Sequence, residues 1–102
     1  MTNKQQIVAI LGAGNMAEGI LAGALDRKVL TPDRVRASDP AEDRRRLFAE
    51  KFGVQVTSDN AEAARGANVV LLSIKPQTFH EQAGALATAV CKDCTIISIM
   101  AG

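Results

Sequence analysis

The sequence predicts an α/β fold in which helices cover both faces of a parallel sheet. A short apolar run, Ile7 to Leu11, leads directly into the turn Gly12-Ala13-Gly14-Asn15-Met16-Ala17. Apolar segments of strand length then alternate with segments of helical spacing along the chain, and Gly or Pro residues separate most of them. With right-handed crossovers, this alternation predicts a Rossmann-type doubly wound sheet of strand order 3-2-1-4-5 in a single domain, residues 1–102.

The first strand is predicted from Gln6 to Leu11, because a buried parallel strand is typically a continuous run of Val, Ile and Leu. The first helix is expected from Asn15 to Lys28, before Thr31-Pro32-Asp33 interrupts the helical pattern. Its apolar residues recur at helical spacing and are expected to face the sheet. They are Met16, Ile20, Leu21, Ala24 and Leu25.

A second strand, Arg34 to Ser38, is followed by Asp39-Pro40-Ala41-Glu42. This segment is typical of a helix start, with Asp39 as N-cap, Pro40 in the first helical position and Glu42 closing a capping box. The second helix is expected to reach Phe52 and to end at Gly53.

The third strand is predicted over Val54 to Thr57, and a short helix is predicted from Asp59-Asn60-Ala61-Glu62 to Gly66. Asn68 to Ile74 is the strongest strand, since its Val-Val-Leu-Leu centre is apolar on both faces, as in a central parallel strand. A fourth helix, Pro76 to Cys91, and a last strand, Thr95 to Ile99, complete the pattern. Phe48, Phe52 and Phe79 fall at spacings expected for packing residues.

Ligands of open parallel sheets bind outside the carboxyl ends of the strands, so a functional site is expected in the five loops that follow them. In the first loop, Gly12 permits a tight turn and Gly14 lets the backbone approach a pyrophosphate, while Ala17 supplies the small third position. The next helix would direct its N-terminal N–H groups at the phosphates. The motif therefore predicts dinucleotide binding.

The residue that ends the second strand, Ser38, is expected to contact the adenosine ribose. Its small hydroxyl, with the arginines 44–46 nearby, favours the 2′-phosphate of NADP(H), although such a run is more typical of a solvated helix face. Asp39 argues for NAD(H), because a carboxylate there can bind the ribose hydroxyls, unless helix capping occupies it. We favour NADP(H), with NAD(H) as the alternative.

Composition argues against several other partners, against export and against a metal site. The net charge is +1, and the aromatic residues are three phenylalanines, so neither nucleic acid nor a membrane surface is an expected partner. The polar N-terminus lacks the pattern of a signal peptide, which favours the cytoplasm. The pair Cys91 and Cys94 predicts no metal site, because the single histidine, His80, lies about three helical turns away. His80 is expected on the surface, and the thiols are expected to be reduced and structural.

Four segments occur in a characteristic order: Gly12 to Ala17, Ala37-Ser38-Asp39-Pro40, Ser73-Ile74-Lys75-Pro76-Gln77 and Ser98-Ile99-Met100-Ala101-Gly102. With these segments the chain resembles the N-terminal half of a pyrroline-5-carboxylate reductase over essentially its whole length. The resemblance implies an NAD(P)H-dependent oxidoreductase of proline biosynthesis, in which hydride reaches the C=N bond of 1-pyrroline-5-carboxylate and gives L-proline. It implies cofactor contacts at Leu11, Gly12, Ala13, Gly14, Asn15, Met16, Ser38, Asn60, Ser73, Ile74, Lys75, Pro76 and Ala101.

Reductases of this family continue into a helical domain that forms homo-oligomers and holds most substrate contacts, whereas this sequence stops at Gly102. We therefore assign no catalytic side chain, and expect a chain that binds cofactor, turns over little and exposes an apolar surface near its last strand. The alternatives are a stand-alone nucleotide-binding or regulatory module and another imine or hydroxyacid reductase of the same superfamily. Individual residues also have structural alternatives: Asn60 as a helix cap, and Lys75 as an exposed residue before proline.

Overall fold

The computed structural model describes residues 6–99, which form one parallel sheet covered by helices on both faces. The five strands are β1 (Val8–Leu11), β2 (Val35–Ser38), β3 (Gln55–Thr57), β4 (Val69–Leu72) and β5 (Thr95–Ser98). Their order is β3-β2-β1-β4-β5, and every neighbouring pair is parallel. The predicted strand order and Rossmann-type fold are confirmed.

Four helices connect the strands: α1 (Asn15–Asp26), α2 (Glu42–Phe52), α3 (Asn60–Ala64) and α4 (Pro76–Ala89). A 3-10 turn over Pro32–Arg34 lies where the sequence predicted an interruption. All four helices are shorter than predicted, since α2 begins two residues later than Pro40 and α3 ends at Ala64. α1 ends before Lys28, whose φ of 60° is left-handed, and α4 ends before Cys91. Gly53 ends α2 with a φ of +71°, as predicted.

The two sides of β1 contact different helices because successive side chains in a strand point to opposite faces. Val8 and Ile10 pack with Leu21 of α1 and Phe48 of α2. On the other face, Ala9 and Leu11 pack with residues of α3 and α4, namely Ala63, Ala64 and Leu86. The β1–α1 turn therefore emerges from a strand that is buried on both sides.

The aromatic residues pack in these two layers, as predicted. Phe48 is fully buried, and its ring lies 5.2 Å from that of Phe52 in an edge-to-face arrangement. Phe79 is partly buried against the α3 and α4 layer. His80 is exposed, also as predicted.

The predicted inner face of α1 is partly wrong. Leu21 is buried, but Met16 is 62% exposed and Ile20 is 44% exposed. The buried line runs instead through Ala17 and Leu21, one position further along the helix. Apolar residues at 16, 17, 20 and 21 form two adjacent i, i+4 lines, and the small Ala17 allows the closer approach of helix and sheet.

The edge strand β5 is exposed along its length. Ile96 and Ile97 point to opposite faces of the sheet, and 55% and 49% of them respectively are exposed. This is the apolar surface that was expected near the last strand. Within residues 6–99, none of the helices has the length and apolar character needed to cross a membrane.

Candidate functional site

The strand order places a crevice between the carboxyl ends of β1 and β4. These strands are neighbours, but the chain leaves β1 toward one face of the sheet and leaves β4 toward the other, which defines a topological switch point. A cavity of about 480 Å³ lies there. Residues from four of the strand-end loops and from α4 line it: Gly12, Asp39, Pro40, Ser58, Asn60, Ser73, Ile74, Lys75, Thr78 and Gln82.

Gly12 forms the floor of the crevice and fits only without a side chain. Its φ is +101°, and a Cβ at this position would lie 2.5 Å from the carbonyl oxygen of Ser73. The Gly12 N–H donates to the Ser38 carbonyl at 2.8 Å, and the Ser73 N–H donates to the Leu11 carbonyl at 2.8 Å. The turn after β1 is therefore in direct backbone contact with the loop after β4.

Gly14 differs from Gly12 because its surroundings are open. A Cβ at Gly14 would meet no atom within 4 Å, and the backbone is extended, with a φ of −85°. Gly14 is the N-cap of α1, and its carbonyl accepts from the Glu18 N–H at 2.9 Å. The first N–H groups of α1 have no acceptor within the helix, so this open space borders an anion-binding helix end.

The Asp39 carboxylate holds the glycine turn instead of capping α2. One oxygen, Oδ2, accepts from the Ala13 N–H at 2.8 Å, and Oδ1 accepts from the Ala41 N–H at 2.8 Å. The predicted capping box is therefore wrong: α2 begins at Glu42, after Ala41, with no side-chain cap. A helix cap would bond only N–H groups of its own segment. The Asp39 carboxylate instead joins the β2–α2 loop to the β1–α1 turn, because it also bonds Ala13.

Arg44 contacts the next peptide group of the same turn, the one that joins Ala13 to Gly14. Its Nε donates to the Ala13 carbonyl at 2.5 Å, and its Nη2 pairs with Glu18 at 2.8 Å. Lys51 also pairs with Glu18, at 2.8 Å. The hydrogen bonds from Lys51 and, next, Arg44 lower the pKa of the Glu18 carboxyl. Arg44 therefore connects α2 to the β1–α1 turn and to α1.

Arg45 lies over the loop that follows β2. Its Nη1 donates to the carbonyls of Asp39, at 2.8 Å, and Pro40, at 3.0 Å. Arg46, by contrast, is 63% exposed and pairs with Glu42 one helical turn earlier on α2. Of the three consecutive arginines, Arg45 is thus the one whose guanidinium reaches the loop predicted to contact the adenosine ribose.

A partly buried hydrogen-bond chain links Ser38, which does not itself line the cavity, to the crevice. Ser38 is fully buried, and its hydroxyl donates to Asn60 Oδ1 at 2.5 Å. Asn60 Nδ2 in turn donates to Gln82 Oε1 at 2.8 Å. The alternative interpretation of Asn60 as a helix cap is wrong, because the α3 cap is Asp59, which accepts from Ala61 and Glu62 N–H groups. Asn60 therefore bridges β2 and α4 at the edge of the cavity.

The remaining residues predicted to contact the cofactor differ in how exposed their side chains are. Ser73, Ile74 and Lys75 line the cavity, and Lys75 is exposed, with the extended backbone expected before Pro76 at the start of α4. Leu11 and Ala13 are buried, so they offer only backbone atoms. Asn15 and Met16 are exposed in the first turn of α1, and Ala101 lies outside the described residues.

Sequence reasoning missed Thr78 and Gln82 as residues of this cavity. They lie four residues apart on α4, so they share one face of the helix. That spacing, combined with the start of α4 at a strand end, is a signal that could have identified them.

The two cysteines lie away from the crevice, near the amino ends of β4 and β5. The Cys91 thiol donates to the Gly66 carbonyl at 3.0 Å and accepts from Asn68 Nδ2 at 3.6 Å. Burial raises the pKa of the Cys94 thiol, and the neighbouring Cys91 raises it further. Within residues 6–99, no cluster of three or more His, Cys, Asp or Glu side chains could hold a metal ion.

A parallel sheet with a glycine turn at its switch point defines a Rossmann-type α/β domain. Residues 7–102 match the model of the family described as NADP oxidoreductase coenzyme F420-dependent, and the chain belongs to that family.

Several sequence relatives from bacteria, an archaeon and plants share one name, pyrroline-5-carboxylate reductase. The pyrroline-5-carboxylate reductase of Pseudomonas aeruginosa is 41% identical over 95 residues, which cover 93% of this chain and 34% of the relative. The structure of a Coxiella burnetii pyrroline-5-carboxylate reductase has a TM-score of 0.85 at 29% identity, covering 96% of this chain and 36% of that one.

A Plasmodium falciparum pyrroline carboxylate reductase with NADP bound shares the fold at a TM-score of 0.75 and 15% identity, covering 97% of this chain and 35% of that one. The chain thus spans about a third of the length of the relatives that it matches.

The two glycines of the turn are expected to lose stability to different extents on the same substitution. Gly12→Ala would place a Cβ against the Ser73 carbonyl and force a left-handed alanine, so we expect the free energy of unfolding to fall by about 2–5 kcal/mol. Gly14→Ala adds a methyl group to open space on an extended backbone, so we expect a loss of less than about 1 kcal/mol. Urea denaturation followed by circular dichroism measures both. Equal losses in the two variants would contradict the described packing of the turn.

Proposed function

We propose that the crevice binds NADP(H), and that the chain is the cofactor-binding part of an oxidoreductase that reduces 1-pyrroline-5-carboxylate to L-proline. The observation that carries the proposal is the glycine turn, in which Gly12 contacts Ser73 while Gly14 leaves space before the α1 N-terminus. Membership of an NADP oxidoreductase family and the shared name of the relatives support the same function. The described residues fit the cofactor, since a side chain at Gly14 would occupy the space that a pyrophosphate needs.

Each part of the crevice has a distinct task in this proposal. The N–H groups from Gly14 to Met16, at the start of α1, bind the pyrophosphate, and the backbone of Leu11 to Ala13, whose Gly12 and Ala13 N–H groups are already bonded, shapes the turn beside it. Ser38 and Asn60, at the ends of β2 and β3, orient the adenosine side, whereas Ser73 to Pro76 shape the nicotinamide side. When bound, the nicotinamide supplies hydride to the C=N bond. The contact at Ala101 stays a prediction.

The surroundings of Asp39 and Arg45 favour NADP(H) over NAD(H). Both Asp39 oxygens already accept backbone N–H groups, which hold the carboxylate against the glycine turn. Arg45 is anchored through Nη1 to two carbonyls, so the other guanidinium nitrogens can donate to a 2′-phosphate. We assign the recognition of the 2′-phosphate to Arg45.

Reduction of 1-pyrroline-5-carboxylate requires more than the cofactor site, and this chain spans about a third of the length of its relatives. Catalytic activity is therefore proposed for a longer protein that contains this domain. Hydride transfer requires an imine held close to the nicotinamide, and we propose that residues beyond this chain supply most of that contact. Homo-oligomer formation, a cytoplasmic location and the absence of nucleic-acid and membrane partners stay predictions.

Calorimetric titration with NADPH and NADH at matched salt tests the site. We expect NADPH to bind more tightly than NADH. In Gly14→Ala the new methyl group displaces the pyrophosphate from the α1 N-terminus, and hydrogen bonds to charged groups contribute about 1.5–3 kcal/mol each, so the NADPH affinity should fall at least about tenfold. If NADPH does not bind the unmodified chain, or binds Gly14→Ala equally well, the crevice is not the cofactor site.

Cofactor preference is tested with Arg45→Ala, and Arg46→Ala is the matched control on the same helix. Loss of a charged hydrogen bond to the 2′-phosphate should weaken NADPH binding about 10- to 100-fold, while NADH binding changes little. Arg46→Ala should alter neither affinity beyond about twofold, since its exposed guanidinium pairs with Glu42. Equal weakening of NADPH and NADH in Arg45→Ala would show that Arg45 stabilises the loop without recognising the phosphate.

A further inference from the structure

Gln82 is a polar residue of the crevice that neither the glycine motif nor the family resemblance includes. It lies on α4, one turn after Thr78, and both side chains line the cavity. Its Oε1 accepts from Asn60 Nδ2 at 2.8 Å, across the gap between α4 and α3. Gln82 is therefore the point at which α4 contacts the polar network at the ends of β2 and β3.

Asn60 depends on contacts from other elements for its orientation. The helix that it begins, α3, has five residues, and helices this short are unstable without tertiary contacts. The Asn60 amide is fixed at two points: Oδ1 accepts from the buried Ser38 hydroxyl, and Nδ2 donates to Gln82. Without Gln82, the amide would keep one of these two bonds and could rotate about its side-chain torsions.

The order of donors and acceptors in the chain means that Gln82 also affects the hydrogen bond of Ser38. Because Asn60 Nδ2 is directed at Gln82, Asn60 Oδ1 faces β2 and takes the proton of the Ser38 hydroxyl. A hydroxyl has one proton to donate, so Ser38 keeps only acceptor capacity for any further contact. The amide of Gln82 thus decides which atoms of Asn60 face the cavity and which face the buried Ser38 hydroxyl.

We propose that Gln82 is a positioning residue for the cofactor, acting through Asn60 on the adenosine side of the crevice. The inference rests on the proposed function, since it assumes that NADP(H) occupies the crevice. It adds a specific cause for cofactor affinity, namely a hydrogen bond from Asn60 to Gln82 of α4 that fixes the Asn60 amide before the cofactor arrives. Preorganisation of this kind increases affinity because the cofactor does not have to order the side chain.

A double-mutant cycle on NADPH affinity tests the proposal. Gln82→Leu keeps a side chain of similar size without the amide and should weaken NADPH binding about fivefold. Asn60→Ala should weaken binding at least as much. Because Gln82 acts through Asn60, adding Gln82→Leu to Asn60→Ala should cause no further loss. The matched control is Gln55→Leu, the same change at an exposed position of β3, which should leave the affinity unchanged.

Two further measurements distinguish a role of Gln82 in positioning Asn60 from a general effect on the folded structure. Adenosine 2′,5′-bisphosphate, which lacks the nicotinamide, should lose the same factor in Gln82→Leu as NADPH does. In the free protein, the side-chain amide resonances of Asn60 should shift in Gln82→Leu while the backbone resonances of β1 and β4 stay in place. Urea denaturation verifies that each variant folds, and Asn60→Ser replaces Asn60→Ala in the cycle if the alanine variant does not fold.

The outcomes of these measurements distinguish the two proposals. If the unmodified chain binds NADPH and Gln82→Leu binds it equally well, the role of Gln82 is overturned while the proposed function stands. Independent, multiplying losses in the double variant would also overturn it, because Gln82 would then not act through Asn60. Failure of the unmodified chain to bind NADPH would overturn the proposed function and, with it, the role of Gln82.

Discussion

The contact between Gly12 and the Ser73 carbonyl is the constraint on which the rest of the site depends. A Cβ at Gly12 would lie 2.5 Å from that oxygen, so the turn after β1 and the loop after β4 can meet only because position 12 lacks a side chain. This contact fixes the floor of the crevice at the switch point of the sheet. It also fixes where α1 begins, and therefore where the N–H groups of its first turn point.

The second constraint is the fixation of the two peptide groups that flank Ala13 by two charged side chains. Asp39 accepts from the Ala13 N–H and Arg44 donates to the Ala13 carbonyl, so the β2–α2 loop and α2 hold the turn from both sides. The pairing of Glu18 with Arg44 and Lys51 connects α1 and α2 to the same network. These residues form a preorganised turn, which lowers the conformational entropy that a ligand would have to remove on binding.

Most of the fold could be predicted from the sequence, because its signals are local and periodic. The apolar strand β4, the glycine turn and the helix end at Gly53 are each encoded by neighbouring residues. The errors have a common cause in tertiary contacts. Asp39 satisfies local rules for a capping box but bonds Ala13, which is 26 residues away in the sequence. The Ser38–Asn60–Gln82 chain likewise joins three elements, and no local pattern specifies it.

NADP(H) binding at the glycine turn, which follows β1, can be tested by titrating the isotope-labelled chain with NADP⁺. Binding is monitored by ¹⁵N–¹H NMR. We expect the largest shifts at the backbone amides of residues 12–17, with further shifts in the loops that follow β2 and β4. Shifts concentrated instead around Arg36 and Glu62, which line a separate cavity beside β3, would contradict it. The absence of any shift at saturating NADP⁺ would contradict it as well.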